Sequence, residues 1–135
     1  MSAPPRVLIT DHPWPDLEIE RGILEAAGAV LDEAPNDDEE TLVRLAAEAT
    51  AIATCWAKVT ERVLVSAPHC RLVARMGIGL DNIDVAAATR LGMLVTNVPD
   101  YCIEEVSDHA VALLLALARN IGYFHWATKG GEYLL

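Results

Sequence analysis

This sequence predicts an α/β fold, a doubly wound parallel sheet of five strands, and three observations carry that expectation. Short runs rich in β-branched residues recur five times, at 7–10, 30–33, 51–55, 72–75 and 93–98. Segments with apolar residues at helical spacing stand between them, which is the pattern of parallel strands joined by crossover helices. With 135 residues and 53% hydrophobic content, the chain has enough apolar side chain for one compact core.

Taken in order, strand one is 7–10. The first helix opens at about Asp16, a candidate N-cap, carries Ile19, Ile23, Leu24 and Ala27 on one face, and stops at Gly28. Strand two is 30–33. Asp37 with Glu40 three residues on reads as a capping box for a helix whose buried stripe is Leu42, Leu45, Ala46 and Ala49. Strand three, 51–55, precedes a short helix from Thr60 with Val63 and Leu64 inward, ending before Pro68. Strand four is 72–75, the fourth helix 85–91 with Gly92 as its stop, and strand five 93–98. The last helix, 103–119, has Ile103, Val106, Ala110, Leu113, Leu114 and Leu117 on one face and Val111, Leu115 and Ala118 on the rest. A helix apolar nearly all round wants cover on more than one side, and a sheet covers only one. The tail after Gly122, "YFHWATKGGEYLL", offers aromatic side chains and no further strand.

Bulk charge narrows the partners. Twenty acidic against ten basic residues give a net charge of -10, which repels nucleic acid and anionic membranes. Cys55, Cys70 and Cys102 form no CxxC pair, and an odd count fits a reducing compartment. The N-terminus lacks the apolar run of a secretory signal, and the longest apolar stretch, 110–118, is about half of the roughly 18 residues a span needs. A cytoplasmic, soluble protein is therefore expected. The acidic run "DEAPNDDEE" lacks the spacing of a calcium loop and reads as a solvated turn, and no metal site is expected.

The stretch "ARMGIGLDNID" holds the candidate chemistry. Gly77-Ile78-Gly79-Leu80-Asp81-Asn82 has asparagine where a dinucleotide fingerprint needs its third glycine, and it follows the fourth strand rather than the first. Two readings remain: a plain tight turn, or a nest of outward-pointing amides for an anion such as a carboxylate. Ligands of open α/β sheets bind beyond the carboxyl ends of the strands, where the loops would be 11–15, 55–58, 76–82 and 99–102. Arg75, at the end of strand four, either adds positive potential beneath the nest or makes a salt link to an acidic neighbour. Asp81 and Asn82 are expected to cap the turn locally, and Cys102 to be an inert buried thiol.

At these residues the sequence also becomes recognisable. "RLVARMGIGLDNIDVAAATRLGMLVTNVPDYCIEEVSDHAVALLLALAR", residues 71–119, strongly resembles the D-isomer-specific 2-hydroxyacid dehydrogenases, especially the branch similar to C-terminal binding protein. The resemblance is weaker but continuous back to Val7. It implies a flavodoxin-like substrate domain, strand order 2-1-3-4-5, spanning residues 1–102. A helix over 103–121 would lead toward a cofactor domain, with 122–135 as a tail, and NAD would serve as cofactor of the full-length protein. Hydride would pass between the nicotinamide and the carbon bearing the 2-hydroxyl of a small 2-hydroxy or 2-oxo acid. Arg75, Met76, Gly77, Ile78 and Gly79 would form the carboxylate site, with Trp56 and Tyr101 lining the pocket. Trp56 also reads as a core aromatic.

The catalytic arginine, glutamate and histidine of the family have no counterpart among these residues, so no catalytic or cofactor-binding residue is assigned. His12, His69, His109 and His125 are given structural roles, His109 by an ion pair or hydrogen bond to Glu105 one turn earlier. Where many relatives carry arginine-serine at the end of strand three, this chain has Thr54-Cys55. The reading is the substrate-binding portion of an NAD-dependent D-2-hydroxyacid dehydrogenase, inactive as this chain alone and self-associating as a homodimer through the last helix and tail. The alternative is a non-catalytic interaction module, corepressor-like or a remnant of a substrate domain. A receiver domain is excluded because Asp11 stands alone after strand one and Thr54, Cys55 and Trp56 follow strand three where an aspartate is needed.

Overall fold

The computed structural model describes residues 3–133. Five parallel strands run in the order β2-β1-β3-β4-β5: β1 Arg6–Ile9, β2 Val30–Glu33, β3 Ala51–Thr54, β4 Leu72–Arg75 and β5 Leu94–Thr96. The flavodoxin-like order is as expected. Register places Leu8, Ile52, Val73 and Val95 side by side, so period-two alternation sends this row to one face. Val7, Ile9, Ala53 and Ala74 go to the other.

The first face carries the larger core. Helices α2 (Glu39–Ala46), α3 (Glu61–Val65) and α4 (Val85–Arg90) bring Leu42, Ala46, Val63, Leu64, Ala87 and Ala88 onto Leu8, Ile52 and Val73. Leu42, Ile52, Val63 and Val73 are wholly buried, and each large side chain contributes about 1.5–3 kcal/mol of transfer free energy. On the second face, α1 (Glu18–Ala26) brings Leu24 over Ile9, Leu31 and Ala53, together with Leu17, Trp14 and Met76.

Several local expectations are corrected. The N-cap of α2 is Asp38, not Asp37: its carboxylate accepts from Thr41 N at 3.0 Å. Asn36 Oδ1 accepts the Asp38 amide, so the preceding turn ends one residue later than the Asp37–Glu40 spacing suggests. Leu17, not Asp16, is the N-cap of α1; Asp16 instead accepts the Glu18 amide at 3.1 Å. Ile19 and Ile23 share the apolar face of α1 yet are 75% and 65% exposed, because only Leu24 of that stripe reaches the sheet. Gly28 and Gly92 end α1 and α4 at φ +76 and +73, left-handed conformations that glycine adopts without Cβ strain.

The chain divides into two compact units, Met1–Pro99 and Asp100–Leu135. The second consists of α5 (Ile103–Ala118) and α6 (Ile121–Lys129). The tail is thus helical as far as Lys129. Asn120, at φ 52 and ψ 34, turns the chain through the left-handed region, one of the few non-glycine types that does so readily, and the two axes bend by 63°. No residue of α5 is buried, including Leu114 and Leu117. Among the described residues no single helix is long and apolar enough to cross a membrane. Leu134 and Leu135, the end of the tail, lie outside the described residues, as do Met1 and Ser2 at the start of the expected substrate domain.

Candidate anion site at the carboxyl edge of the sheet

All strands being parallel, the loops after β1, β3, β4 and β5 emerge at one edge, and hydrogen bonds stitch them together. Met76 N donates to Thr54 O at 2.8 Å, continuing the β3–β4 ladder into the corner. The carbonyls of the next three residues are all engaged. Gly77 O accepts from Val98 N at 3.0 Å, Ile78 O from Asn97 Nδ2 at 2.8 Å, and Gly79 O from Arg75 Nη1. The amides of Gly77, Ile78 and Gly79 donate to no acceptor among the described residues. Gly77 is buried while Ile78 and Gly79 are exposed, and the carbonyls of all three are tied.

Arg75 lies beneath this corner. Its Nε donates to Cys55 O and its Nη1 to Gly79 O, so one guanidinium bridges the loops after β3 and β4. It makes no salt link to an acidic neighbour among the described residues; of the two expectations for Arg75, the positive charge beneath the amides is the one compatible with these bonds. Gly77 follows from Arg75 and Gly79 from Asp81. A Cβ on Gly77 would stand 3.2 Å from the guanidinium carbon, and one on Gly79 2.8 Å from Asp81 Oδ1. Neither glycine has a left-handed φ, so close approach rather than backbone freedom requires them.

The corner after β3 is organised by Asp11. Its Oδ1 accepts from Cys55 N at 2.9 Å, Thr10 Oγ1 at 2.8 Å and Thr54 Oγ1 at 3.3 Å, and its Oδ2 from Trp56 N at 2.7 Å. Burial alone would push this carboxyl up, but the Trp56 and Cys55 amides and the Thr10 hydroxyl outweigh it and hold the pKa below the ordinary value. Asn82 adds a second tie, Nδ2 to Ala57 O at 2.9 Å, with Val59 N returning to Asn82 O at 2.8 Å. Asn82 therefore braces the loop after β3 rather than only its own turn. The Cys55 thiol is buried and pushed up by desolvation and by Asp11, and burial raises Cys70 as well.

Not every expected residue joins this corner. Met76 packs its side chain into the α1-side core and has spent its amide on Thr54, so it supports the corner from below. Trp56 is 65% exposed, which removes the core reading, but its indole lines a cleft with Asp37, Glu39, Lys58 and Thr60 that contains none of Gly77–Gly79. Tyr101 belongs to the second unit, in a cleft with Asp100, Ile103, Glu104 and Glu105. Cys102 is half-buried rather than buried. His109 and Glu105 are exposed and no ion pair joins them among the described residues. His12, by contrast, has a carboxylate partner: Nε2 faces Glu33 Oε1 at 3.2 Å and Nδ1 faces Trp14 O at 2.7 Å. The hydrogen bond to Glu33 raises its pKa above 6.5. Asp11 and Asn97 carry the architecture of the corner without having been singled out; their signal in the sequence is only their place immediately after strands one and five.

A dinucleotide does not fit this loop. The helix that follows is six residues long and capped by the Asp84 carboxylate, which accepts Ala87 N at 2.8 Å. A pyrophosphate would need that position and would meet a negative charge there. No group of three or more metal-ligating side chains exists among the described residues.

The chain is similar to known proteins of one family. The model of the D-isomer specific 2-hydroxyacid dehydrogenase catalytic domain matches residues 7–131. A glyoxylate reductase of Aeropyrum pernix is 37% identical over 134 residues, covering 96% of this chain and 38% of its own length. A D-3-phosphoglycerate dehydrogenase of Mycobacterium bovis is 45% identical over 85 residues, 62% of this chain and 16% of that one. The chain thus spans well under half the length of the curated relatives it matches. The structure of D-lactate dehydrogenase from Aquifex aeolicus, complexed with NAD and lactic acid, superposes with a TM-score of 0.83 over 96% of this chain and 38% of that one, at 23% identity, a shared fold.

Proposed function

The chain belongs to the D-isomer specific 2-hydroxyacid dehydrogenases, and from that premise we propose that the amides of Gly77, Ile78 and Gly79 bind the carboxylate of a small 2-hydroxy or 2-oxo acid. One observation carries the reading: three successive N–H groups are unengaged while their carbonyls are tied and a guanidinium lies beneath them. The molecule supplies its own precedent, because two successive amides at the neighbouring corner, Cys55 and Trp56, already hold the carboxylate of Asp11. Charge-assisted bonds to backbone amides are stronger than neutral ones, and Arg75 adds long-range attraction in a chain otherwise strongly acidic.

In this reading the chain binds and orients the acid, leaving its C2 carbon at the rim. Oxidation at C2 with NAD is the reaction class in which the subsite serves; these residues are expected to supply neither the cofactor site nor the acid–base pair, and the 135-residue polypeptide by itself is expected not to bind NADH tightly. Trp56 is proposed to border the acid from outside the nest. The buried free thiols of Cys55 and Cys70 suit the cytoplasm. The exposed apolar surface of α5 and α6 is proposed to meet a second copy of the chain, and sedimentation showing only monomer at high concentration would overturn that.

The subsite is tested by adding sodium pyruvate to ¹⁵N-labelled protein. Saturable shifts of the Gly77, Ile78 and Gly79 amides with a dissociation constant of about a millimolar, roughly −4 kcal/mol, are expected. Unchanged amides at those positions would refute it.

A further inference from the structure

We propose that Asp11 is a positioning residue for the Gly77–Gly79 amides, acting through the Cys55 peptide and Arg75; this rests on the carboxylate reading above. The chain of contacts is continuous. Asp11 takes the amides of Cys55 and Trp56 at 2.9 and 2.7 Å, which fixes the plane of the peptides at the end of β3. The Cys55 carbonyl is thereby presented to Arg75 Nε, and Asn82 Nδ2 approaches the same oxygen at 3.5 Å. The other end of the guanidinium holds Gly79 O. A planar group with two engaged nitrogens has little freedom, so the orientation of the Cys55 carbonyl sets where Gly79 sits.

Asp11 also removes a competitor. Left unfilled, the Cys55 and Trp56 amides would form a second anion-binding corner at the same sheet edge. With an internal carboxylate seated there, an incoming acid has only the corner after β4 available. The hydroxyl of Thr10 donates to the same carboxylate at 2.8 Å, and Thr54 Oγ1, whose shorter bond goes to Ala57 O at 3.0 Å, lies 3.3 Å from it.

The test uses the full 135-residue chain, sodium pyruvate as probe, and the Gly77, Ile78 and Gly79 amide shifts as readout. Asp11→Asn keeps the shape but removes the charge and one acceptor. It is expected to weaken binding about fivefold, the scale of one ordinary hydrogen bond, to move the Trp56 amide resonance upfield, and to leave the strand amides of Leu8, Ile52 and Val73 in place. In an Arg75→Lys background Asp11→Asn is expected to cause no further loss, since the route is already broken. If the wild-type chain shows no shift at residues 77–79, the carboxylate reading fails and the proposal with it. If the wild type binds and Asp11→Asn binds equally well, the carboxylate reading stands and the role of Asp11 falls; additive losses with Arg75→Lys also overturn it. Should Asp11→Asn fail to fold, Thr10→Val removes the hydroxyl that donates to the carboxylate at 2.8 Å and leaves the Gly77–Gly79 corner untouched. About twofold weaker binding is then expected, and unchanged affinity overturns the proposal.

Discussion

Replacing Gly77 by alanine isolates the reason for that glycine. The three atoms nearest the new Cβ outside its chain neighbours all belong to Arg75, Cζ at 3.2 Å, Nη2 at 3.4 Å and Nε at 3.5 Å. Carbon atoms rest at about 3.5–4.0 Å, so the guanidinium must retreat by a few tenths of an ångström. It cannot do so freely, because Nε and Nη1 hold Cys55 O and Gly79 O. Weakening one such charged bond costs about 1.5–3 kcal/mol. Against this, alanine restricts the unfolded chain and restores about 0.4–1 kcal/mol, since the native backbone here is not left-handed. The net expectation is a loss of about 1–2 kcal/mol, read as a urea midpoint lower by about 0.5–1 M. In an Arg75→Ala background the obstacle is gone and the sign reverses: Gly77→Ala becomes neutral or stabilising. Equal destabilisation in both backgrounds would refute the argument that Arg75 is what demands the glycine.

Other consequences are equally direct. Both ring nitrogens of His12 face acceptors, Trp14 O and Glu33, so the imidazolium is the form the fold favours; with its pKa raised, the stability it contributes is full below about 6.5 and lost as pH rises through the folded value. Glu33→Gln should lower the His12 titration midpoint in a proton NMR titration, and an unchanged midpoint would deny the pairing. Asp11 is shifted the other way, so its contribution is present above about pH 3.8 and lost as pH falls through the lower folded value; Asp11→Asn should flatten the acid limb of a stability–pH curve measured by urea unfolding. Leu42 is wholly buried among Leu8, Ile52 and Val63, and Leu42→Ala should cost about 2–5 kcal/mol in the same assay. A cost below that range would mean the α2 face is looser than its burial indicates.

What the sequence by itself determined was the order of elements, the parallel sheet and the place of the glycine corner. Short apolar runs such as Val7-Leu8-Ile9 and helical stripes such as Leu42 with Ala46 state their environment locally, and the run from Arg71 to Arg119 identified the family. Caps were legible only to within a residue: Asp37 and Asp38 are chemically equal, and the turn through Asn36 chose between them. The tail helix was missed because its aromatic residues have no stripe at helical spacing to announce it. Tertiary structure alone decided that Asp11 reaches Cys55 and Trp56 more than forty positions away, that His12 meets Glu33 across β1 and β2, and that Arg75 is turned under its own loop. Side-chain hydrogen bonds between distant segments form only after the sheet sets strand ends side by side. A linear reading sees donors and acceptors there, while the distances that join them come from the register of β1 against β2 and β3 and of β3 against β4.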